Sequence, residues 1–241
     1  MRAVVVADVH ANLGAFQAVL RDAESSGSID SIWCLGDLVG YGAEPEACVQ
    51  LLRSHAHVAV IGNHDLAAFD LSLTADFNQH AAAAARWTGE NLSHESIQWL
   101  RGLPEVVVAE EEFTLTHGSL VDPIWQYLVF AKDATEHLRL QKTPYGFVGH
   151  SHLPLIFVDG DASNASFTNE TLALDGTRFV ANPGSAGQPR DGDPRAAYAI
   201  VDTVARTMSL RRVEYNVAAT QRMIRDAGLP EFLAARLAVG R

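Results

Sequence analysis

Short apolar runs alternate with helical patterns in the first third of the chain. The run at residues 3–7 is unbroken, which is typical of a strand buried on both faces. Two amphipathic helices are predicted here, one beginning at Leu13 and one at Pro45–Arg53, where a proline suits the first turn. Strand–helix alternation predicts a parallel sheet with helices on both faces. The predicted strands of this part span residues 3–7, 31–35 and 57–61.

The second half of the chain carries many strand patterns and one clear helix. That helix is predicted at residues 133–141, where Asp133 and Glu136 have the spacing of a capping box. More strands and fewer helices indicate a second, partly antiparallel sheet packed on the first. The predicted strands here span residues 105–109, 113–117, 145–149, 155–158, 178–181, 196–201 and 208–213.

Two helical regions lie outside this pattern of strands. Residues 66–101 are predicted to be mainly helical, and a helical tail near residues 217–241 is interrupted at Gly228-Leu229-Pro230. We predict a single domain over residues 1–241. The helical insertion near 66–101 is expected to fold as a cap over the carboxyl ends of the strands and to admit only small molecules there, and the tail is expected to pack on its own chain.

Charge and composition narrow the classes of function. The 241 residues carry a formal net charge of −11, with 48% hydrophobic and 20% charged residues, as in ordinary soluble domains. The only basic cluster is the pair Arg211–Arg212, so extended nucleic-acid binding is disfavoured, whereas small anionic substrates are not. We find no apolar run of membrane-spanning length and no signal-peptide pattern. We therefore expect a cytoplasmic protein without a membrane partner, either a monomer or a homo-oligomer.

Side chains that bind metal ions stand where five predicted strands end. Ligands of open α/β sheets collect at the carboxyl ends of strands, so these motifs should meet. Carboxylates and imidazoles suit divalent transition metals. At an extended strand end, residues two apart share a face and can chelate one ion, which applies to Asp8 with His10 and to His150 with His152. The motifs are Asp8-Val9-His10, Gly36-Asp37, Gly62-Asn63-His64-Asp65, His117-Gly118 and Gly149-His150-Ser151-His152.

Together and in this order, the five motifs resemble those of the calcineurin-like metallophosphoesterase superfamily, in particular its small bacterial and archaeal phosphodiesterase branch. The resemblance runs from Asp8 to about Gly187 and includes Asn182-Pro183-Gly184-Ser185. It implies an α/β fold, a four-layer α/β/β/α sandwich of two mixed β-sheets flanked by helices. It also implies two divalent ions, which the ligand types allow to be manganese, iron, zinc, nickel or cobalt. One would be held by Asp8, His10, Asp37 and His152, the other by Asp37, Asn63, His117 and His150.

The resemblance implies a reaction as well. Two cations about 3.5–4 Å apart clamp the attacking and leaving oxygens of a phosphoester, and a hydroxide bridging them attacks phosphorus. His64 would protonate the leaving oxygen or stabilise the transition state. Asp65 is expected to orient or charge the imidazole of His64, as a carboxylate behind a histidine often does.

The substrate class depends on a missing arginine. In phosphoprotein phosphatases of the superfamily, the Gly-Asp motif leads to an arginine that grips phosphate, whereas here Gly36-Asp37 leads to Leu38-Val39-Gly40-Tyr41. A terminal phosphate dianion would lack a bidentate partner, so small phosphodiesters are favoured. Arg190 and Arg195 lie in a later loop, and we take Arg190, with Asn12 and Tyr41, as candidate substrate contacts.

Alternatives of two classes remain open. Within the same class, the chain would be a phosphomonoesterase or a nucleotide pyrophosphatase. In a different class, it would be a non-catalytic protein-interaction scaffold of the same fold, or a metal-storage protein. Because the chain keeps every predicted ligand position and His64, the sequence favours an enzyme over both.

Overall fold

The computed structural model describes residues 1–160, 165–166 and 171–241. Over those residues, no helix is both long enough and apolar enough to span a bilayer. The strands in chain order are β1 (Arg2–Val6), β2 (Ser31–Cys34), β3 (His57–Ala59), β4 (Val106–Ala109), β5 (Phe113–Thr116), β6 (Tyr145–Phe147), β7 (Pro154–Val158), β8 (Ala165–Ser166), β9 (Thr171–Ala173), β10 (Phe179–Pro183), β11 (Ala196–Asp202) and β12 (Thr207–Val213). The helices are α1 (Leu13–Ser25), α2 (Pro45–Arg53), α3 (Asn63–Ala67), α4 (Gln79–Asn91), α5 (His94–Arg101), α6 (Ala131–Leu140), α7 (Val217–Asp226) and α8 (Glu231–Ala235), with 3-10 turns at Leu71–Thr74 and Arg236–Val239.

The first sheet has the strand order β3-β2-β1-β11-β12-β9. Strands β1, β2 and β3 pair in parallel, as predicted, but β11 pairs antiparallel with β1 in the register Val4↔Ile200. The sequence assigned β11 and β12 to the second sheet, and this was wrong. Because β12 follows β11 through a tight turn and both carry apolar residues, the hairpin completes the sheet on the free side of β1.

The second sheet has the order β4-β5-β6-β10-β7-β8 and packs face to face on the first. Alternation along β1 shows the layering: Val4 and Val6 face the outer helices, whereas Ala3 and Val5 face the second sheet. The first sheet therefore has helices on one face only, which corrects the expectation of two. Helices α1, α2 and α5 cover that face and α6 covers the second sheet. The result is the four-layer sandwich that the resemblance implied.

The helical insertion divides into two parts. Helix α5 joins the outer layer beside α2, where Leu100 is fully buried, and so takes no part in a cap. Helix α4 instead packs through Ala81 and Ala84 against Leu233 and Leu237 of the tail, which we define as residues 217–241. Tyr41 belongs to the same apolar cluster. The tail therefore packs on its own chain and lies close to the Gly36-Asp37 loop.

Local details differ from the sequence prediction in two places. Helix α6 begins at Ala131, and the carboxylate of Asp133 accepts a hydrogen bond from the backbone N–H of Phe130 at 3.2 Å. Asp133 is thus the third residue of the helix rather than its cap. The three-residue spacing of a capping box joins Phe130 to Asp133, not Asp133 to Glu136. Strands β8 and β9 were not predicted, since two or three residues give too little alternation to recognise.

Candidate metal centre

Loops that follow β1, β2, β3, β5 and β6 meet at one edge of the two sheets. They bring together all of the predicted ligands, and each of those side chains is buried. Two groups form, and within each the ligand atoms lie within 4.8 Å of one another. Group one is Asp8, His10 and His152, and group two is Asp37, His117 and His150. Asn63 lies beside group two.

In group one, backbone carbonyls fix the orientation of both imidazoles. His10 donates from Nδ1 to the carbonyl of Val39 at 3.2 Å, and His152 donates from Nδ1 to the carbonyl of Gln188 at 2.6 Å. Both Nε2 atoms therefore carry lone pairs, and they face each other at 3.1 Å. Asp8 Oδ1 lies 3.5 Å from Nε2 of His152. The two nitrogen lone pairs and the oxygen of Asp8 could therefore bind a cation placed between them.

In group two, the two histidines present different ring nitrogens to the centre of the group. His117 donates from Nδ1 to the carbonyl of Leu35 at 2.8 Å and presents Nε2. His150 donates from Nε2 to the carbonyl of Trp125 at 3.1 Å and so presents Nδ1. Nε2 of His117 lies 3.1 Å from Nδ1 of His150 and 3.0 Å from Oδ1 of Asn63. The acceptors of group two thus converge on one point as well.

One oxygen of Asp37 faces both groups. Its Oδ2 lies 3.7 Å from Nε2 of His10 and 3.5 Å from Nε2 of His117. Its Oδ1 accepts a hydrogen bond from the backbone N–H of His64 at 2.8 Å, which holds the carboxylate in this orientation. Oδ2 of Asp8 is buried and has no hydrogen-bond partner within the described residues. This donor set, with an orphaned carboxylate oxygen, fits divalent transition metals.

Protonation of the buried groups agrees with a cation site. Burial raises the pKa of Asp37 to about 7, and burial followed by the charge of Asp37 raises the pKa of Asp8 well above its usual value. Burial lowers the pKa of His117 to about 4, and burial with the neighbouring His117 lowers that of His150 to about 2. These imidazoles are therefore neutral and able to bind a cation, and a bound cation would offset the cost of burying the carboxylates.

The backbone at these loops is left-handed rather than extended, and of the two pairs expected to chelate one ion only Asp8 with His10 lies in one group. Non-glycine residues rarely adopt positive φ, and a group of them at one site indicates strain held by the surrounding structure. His150 and His152 consequently belong to different groups instead of chelating one ion. The ligand positions with positive φ are Asp8 (53°), His10 (49°), Asp37 (51°), His150 (66°) and His152 (60°).

Two glycines allow the loops to approach so closely. A Cβ on Gly62 would lie 2.2 Å from Oδ1 of Asp37, and a Cβ on Gly36 would lie 2.7 Å from the backbone nitrogen of Gly62. Gly36 also has a φ of 85°. The glycines of the motifs are therefore needed for the contact between the second and third loops.

Comparison with known proteins places this site in a family. The model of the calcineurin-like phosphoesterase superfamily domain matches residues 1–206. The chain belongs to the calcineurin-like phosphoesterase superfamily. Members of this superfamily use divalent metal ions, and two groups in this chain have the residues to bind them. Membership indicates a phosphoester hydrolase.

The proteins similar to this chain include a structure of a metallophosphoesterase, an uncharacterised protein and an enzyme named for its nucleotide substrate. A metallophosphoesterase from Sphaerobacter thermophilus is 43% identical, with a TM-score of 0.90, over 100% of this chain and 99% of that one. An uncharacterised protein of Methanocaldococcus jannaschii is 36% identical over 98% of this chain and 97% of its own length. The symmetrical bis(5'-nucleosyl)-tetraphosphatase of Vibrio cholerae is 26% identical, and the match covers 58% of this chain and 52% of the relative.

The predicted catalytic residue His64 lies at the edge of the phosphoesterase site. Its ring centroid is 5.0 Å from that of His10, and its ring also contacts Tyr41 at 4.3 Å and Phe77 at 4.7 Å. Burial and the nearby charge of Arg190 lower the pKa of His64 well below its usual value, so its imidazole is neutral. A neutral imidazole acts as a hydrogen-bond donor more readily than as a full acid.

The predicted action of Asp65 on the imidazole of His64 is wrong. Both carboxylate oxygens of Asp65 accept backbone hydrogen bonds, from Val39 at 3.0 Å and from Gly62 at 3.0 Å. Nδ1 of His64 is buried and has no hydrogen-bond partner in the part of the chain that the structure describes. Asp65 therefore ties the second and third loops together, because its position at the start of α3 aims it at exposed backbone amides.

Asn12 is a structural residue rather than a substrate contact, which corrects that prediction. Its Oδ1 caps α1 by accepting from the backbone N–H of Ala15 at 3.1 Å and also accepts from Thr220 at 3.2 Å. Its Nδ2 donates to the carbonyl of Gly187 at 2.8 Å. Asn12 thus joins α1, the tail and the loop after β10.

Arg190 and Tyr41 reach the site, whereas Arg195 does not. The guanidinium of Arg190 lies 5.9 Å from the centre of the Tyr41 ring, and burial followed by the Arg190 charge lowers the pKa of His152. Nη2 of Arg190 donates to Gln188 at 3.1 Å, and its buried Nε has no partner among the described residues. Arg195 instead pairs with Asp193 at 2.6 Å on the surface.

The sequence did not reveal the groups that orient the histidines. They are backbone carbonyls, which any residue supplies, so their positions leave no sequence signal. The parallel stack of Tyr127 on His150, with centroids 4.0 Å apart and planes inclined by 8°, was also missed. The one sequence feature that could have indicated this stack is the aromatic-rich segment that follows soon after His117.

Proposed function

We propose that this chain is a dinuclear, metal-dependent phosphodiesterase that acts on small substrates. The observation that carries the proposal is the single oxygen of Asp37, Oδ2, which lies within 3.7 Å of an imidazole nitrogen from each group. A carboxylate placed in this way is suited to bridge two cations. Residues 1–241 would act as one domain.

The residues of the two groups divide naturally between two ions. Group one with Asp37 would hold one ion, and group two with Asn63 would hold the other. When bound, two such ions supply Lewis-acid stabilisation and an activated water for in-line displacement at phosphorus. Manganese, iron, zinc, nickel and cobalt all accept these ligands.

The chain's own residues would position the substrate beside the ions. His64, held neutral by burial, would donate a hydrogen bond to the oxygen on which negative charge develops. Arg190 has an unpartnered Nε within the described residues and would hold a non-bridging phosphate oxygen. Tyr41, between His10 and His64, keeps both rings in place.

A second candidate function is hydrolysis of phosphomonoesters or nucleoside polyphosphates. The arginine missing after Asp37 argued for diesters, but Arg190 brings a guanidinium to the same site from another loop. The similarity to a bis(5'-nucleosyl)-tetraphosphatase also favours a nucleotide substrate. We keep the diester as the first candidate because one arginine satisfies a singly charged group more fully than a dianion.

A hydrolysis assay after metal restoration tests both candidates. The protein is stripped of metal, restored with each candidate ion, and assayed on bis-p-nitrophenyl phosphate and p-nitrophenyl phosphate. A higher kcat/KM for the diester supports a phosphodiesterase, and the reverse order supports the monoesterase. Binding of two metal equivalents without any hydrolysis of these or of a nucleoside polyphosphate would instead support a scaffold.

A further inference from the structure

The loop after His117 is ordered and yet exposes aromatic side chains. We call residues 118–130 the rim loop. Its backbone is held by hydrogen bonds from Gly118 N–H to Pro123 at 2.6 Å and from Ser119 N–H to Gln126 at 3.0 Å. Asp122 accepts from the backbone N–H of Trp125 at 3.1 Å. A loop fixed in this way holds its side chains in defined positions.

Three aromatic side chains form a border to the metal centre, and we call them the aromatic rim: Phe77, Trp125 and Tyr127. Tyr127 stacks on the ring of His150, and Phe77 contacts both the ring of His64, at 4.7 Å, and that of Trp125, at 6.3 Å. The rim therefore touches group two and the predicted hydrogen-bond donor at once.

The outer rim residues remain open to solvent. Trp125 is 39% exposed and Tyr127 is 49% exposed. One face of the Tyr127 ring is covered by His150, so its exposed surface is the remaining face and edge. Trp125 and Tyr127 therefore expose aromatic surface next to the buried candidate ligands, and exposed apolar surface of this kind commonly marks a binding site.

We propose that the aromatic rim binds the nucleobase of a nucleotide phosphoester, whose phosphate lies at the metal centre. This inference rests on the proposed function, because the phosphate end of the ligand is assigned to that site. Every base has a π face and stacks on tyrosine or tryptophan, and such stacking contributes about 1–3 kcal/mol per base. Arg190, which lies beside Tyr41, would hold the phosphate while the rim holds the base.

The test has to distinguish base binding from the contact that Tyr127 makes with His150. Tyr127 covers His150, so removing it would disturb a metal ligand as well as a stacking surface. Trp125 is the better probe, because only its backbone carbonyl contacts His150, and its indole contacts Phe77 rather than a candidate metal ligand. Phe130 is a matched control: it lies on the same loop, is 69% exposed, and makes no ring contact with the site residues in the described parts of the chain.

Calorimetric titration with AMP and with ribose 5-phosphate tests the rim directly. These two ligands share the sugar and the phosphate and differ in the base. The native protein, with and without restored metals, should bind AMP more tightly than ribose 5-phosphate. Trp125→Ala should weaken AMP binding by about 10-fold relative to ribose 5-phosphate, Trp125→Phe should restore most of that difference, and Phe130→Ala should match the native protein.

The outcomes separate this inference from the proposed function. Equal affinity for the two ligands, or an equal loss of both in Trp125→Ala, would overturn the rim as a base-binding surface. Hydrolysis of bis-p-nitrophenyl phosphate could still proceed in that case and would keep the proposed function. Conversely, Trp125-dependent binding of AMP without hydrolysis of any phosphoester would support the rim and overturn the enzyme.

Discussion

The two halves of the metal centre differ in how their histidines are held. Group one is oriented by carbonyls of Val39 and Gln188, which belong to loops packed against the buried sheet edge. Group two depends partly on the rim loop, since His150 is held by the Trp125 carbonyl and the Tyr127 ring. Group two also includes a neutral oxygen from Asn63.

This difference indicates unequal metal affinities. Besides Asp37, an ion in group one would meet the carboxylate of Asp8, whereas an ion in group two would meet the neutral amide oxygen of Asn63. Outer contacts that orient a ligand commonly alter metal affinity by about 10–100-fold. We therefore expect the ion of group two to exchange first, and the following experiments test the contrast.

The largest effect should come from the residue that joins the two halves. Asp37→Asn removes the charge facing both groups and should weaken binding of both ions, with at least about a 10³-fold loss of activity. Metal content by mass spectrometry measures this. Asp65→Asn is the matched buried control: it should lower the free energy of unfolding by about 1–3 kcal/mol through lost backbone bonds while both ions remain. Loss of only one ion in Asp37→Asn would contradict a bridge.

Removing one histidine from each half separates the halves. His152→Ala and His150→Ala should each leave one bound ion and reduce activity by roughly 10²–10³-fold, because a single ion clamps the phosphoester incompletely. Competition with a chelator reports the affinity of the ion that remains. His150→Ala should keep the tighter ion. If the ion that remains in His150→Ala is bound more weakly than the ion that remains in His152→Ala, group two is the tighter site and the expected ranking is wrong.

A smaller effect should follow from removing the hydrogen-bond donor His64 while leaving every candidate metal ligand in place. His64→Ala should retain two ions and reduce kcat by about 10²-fold, within the usual contribution of a positioned proton or hydrogen-bond donor. Metal analysis and steady-state kinetics on the same sample provide the measurement. Metal loss parallel to the loss of activity would mean that His64 is a ligand.

The smallest effect should come from the arginine outside both groups. Arg190→Ala should raise KM for a phosphoester by about 10-fold, since a charge-assisted bond to phosphate is lost while both ions stay. Arg195→Ala, a surface residue paired with Asp193, serves as the control and should not change KM. Equal effects from the two substitutions would remove Arg190 from the substrate site.

Much of the fold was predictable because its signals are local. The apolar run before Asp8 and the amphipathic pattern after it identify a strand and a helix without reference to any other part of the chain. The partners of β1 were not predictable in the same way. β11 pairs with β1 although it is almost 200 residues away in sequence, and its apolar side chains would suit either sheet.

For the site, the sequence by itself identified the candidate metal ligands, because carboxylates and imidazoles must be encoded and their motifs follow strands. The family resemblance implied how they divide, and the tertiary structure supplied the physical reason: the left-handed backbone at His150 and His152 sends two neighbouring histidines to different groups. It also showed Asp65 and Asn12 to be structural, since backbone amides and carbonyls far along the chain occupy their polar atoms. Such contacts depend on three-dimensional proximity, which residue identity does not encode.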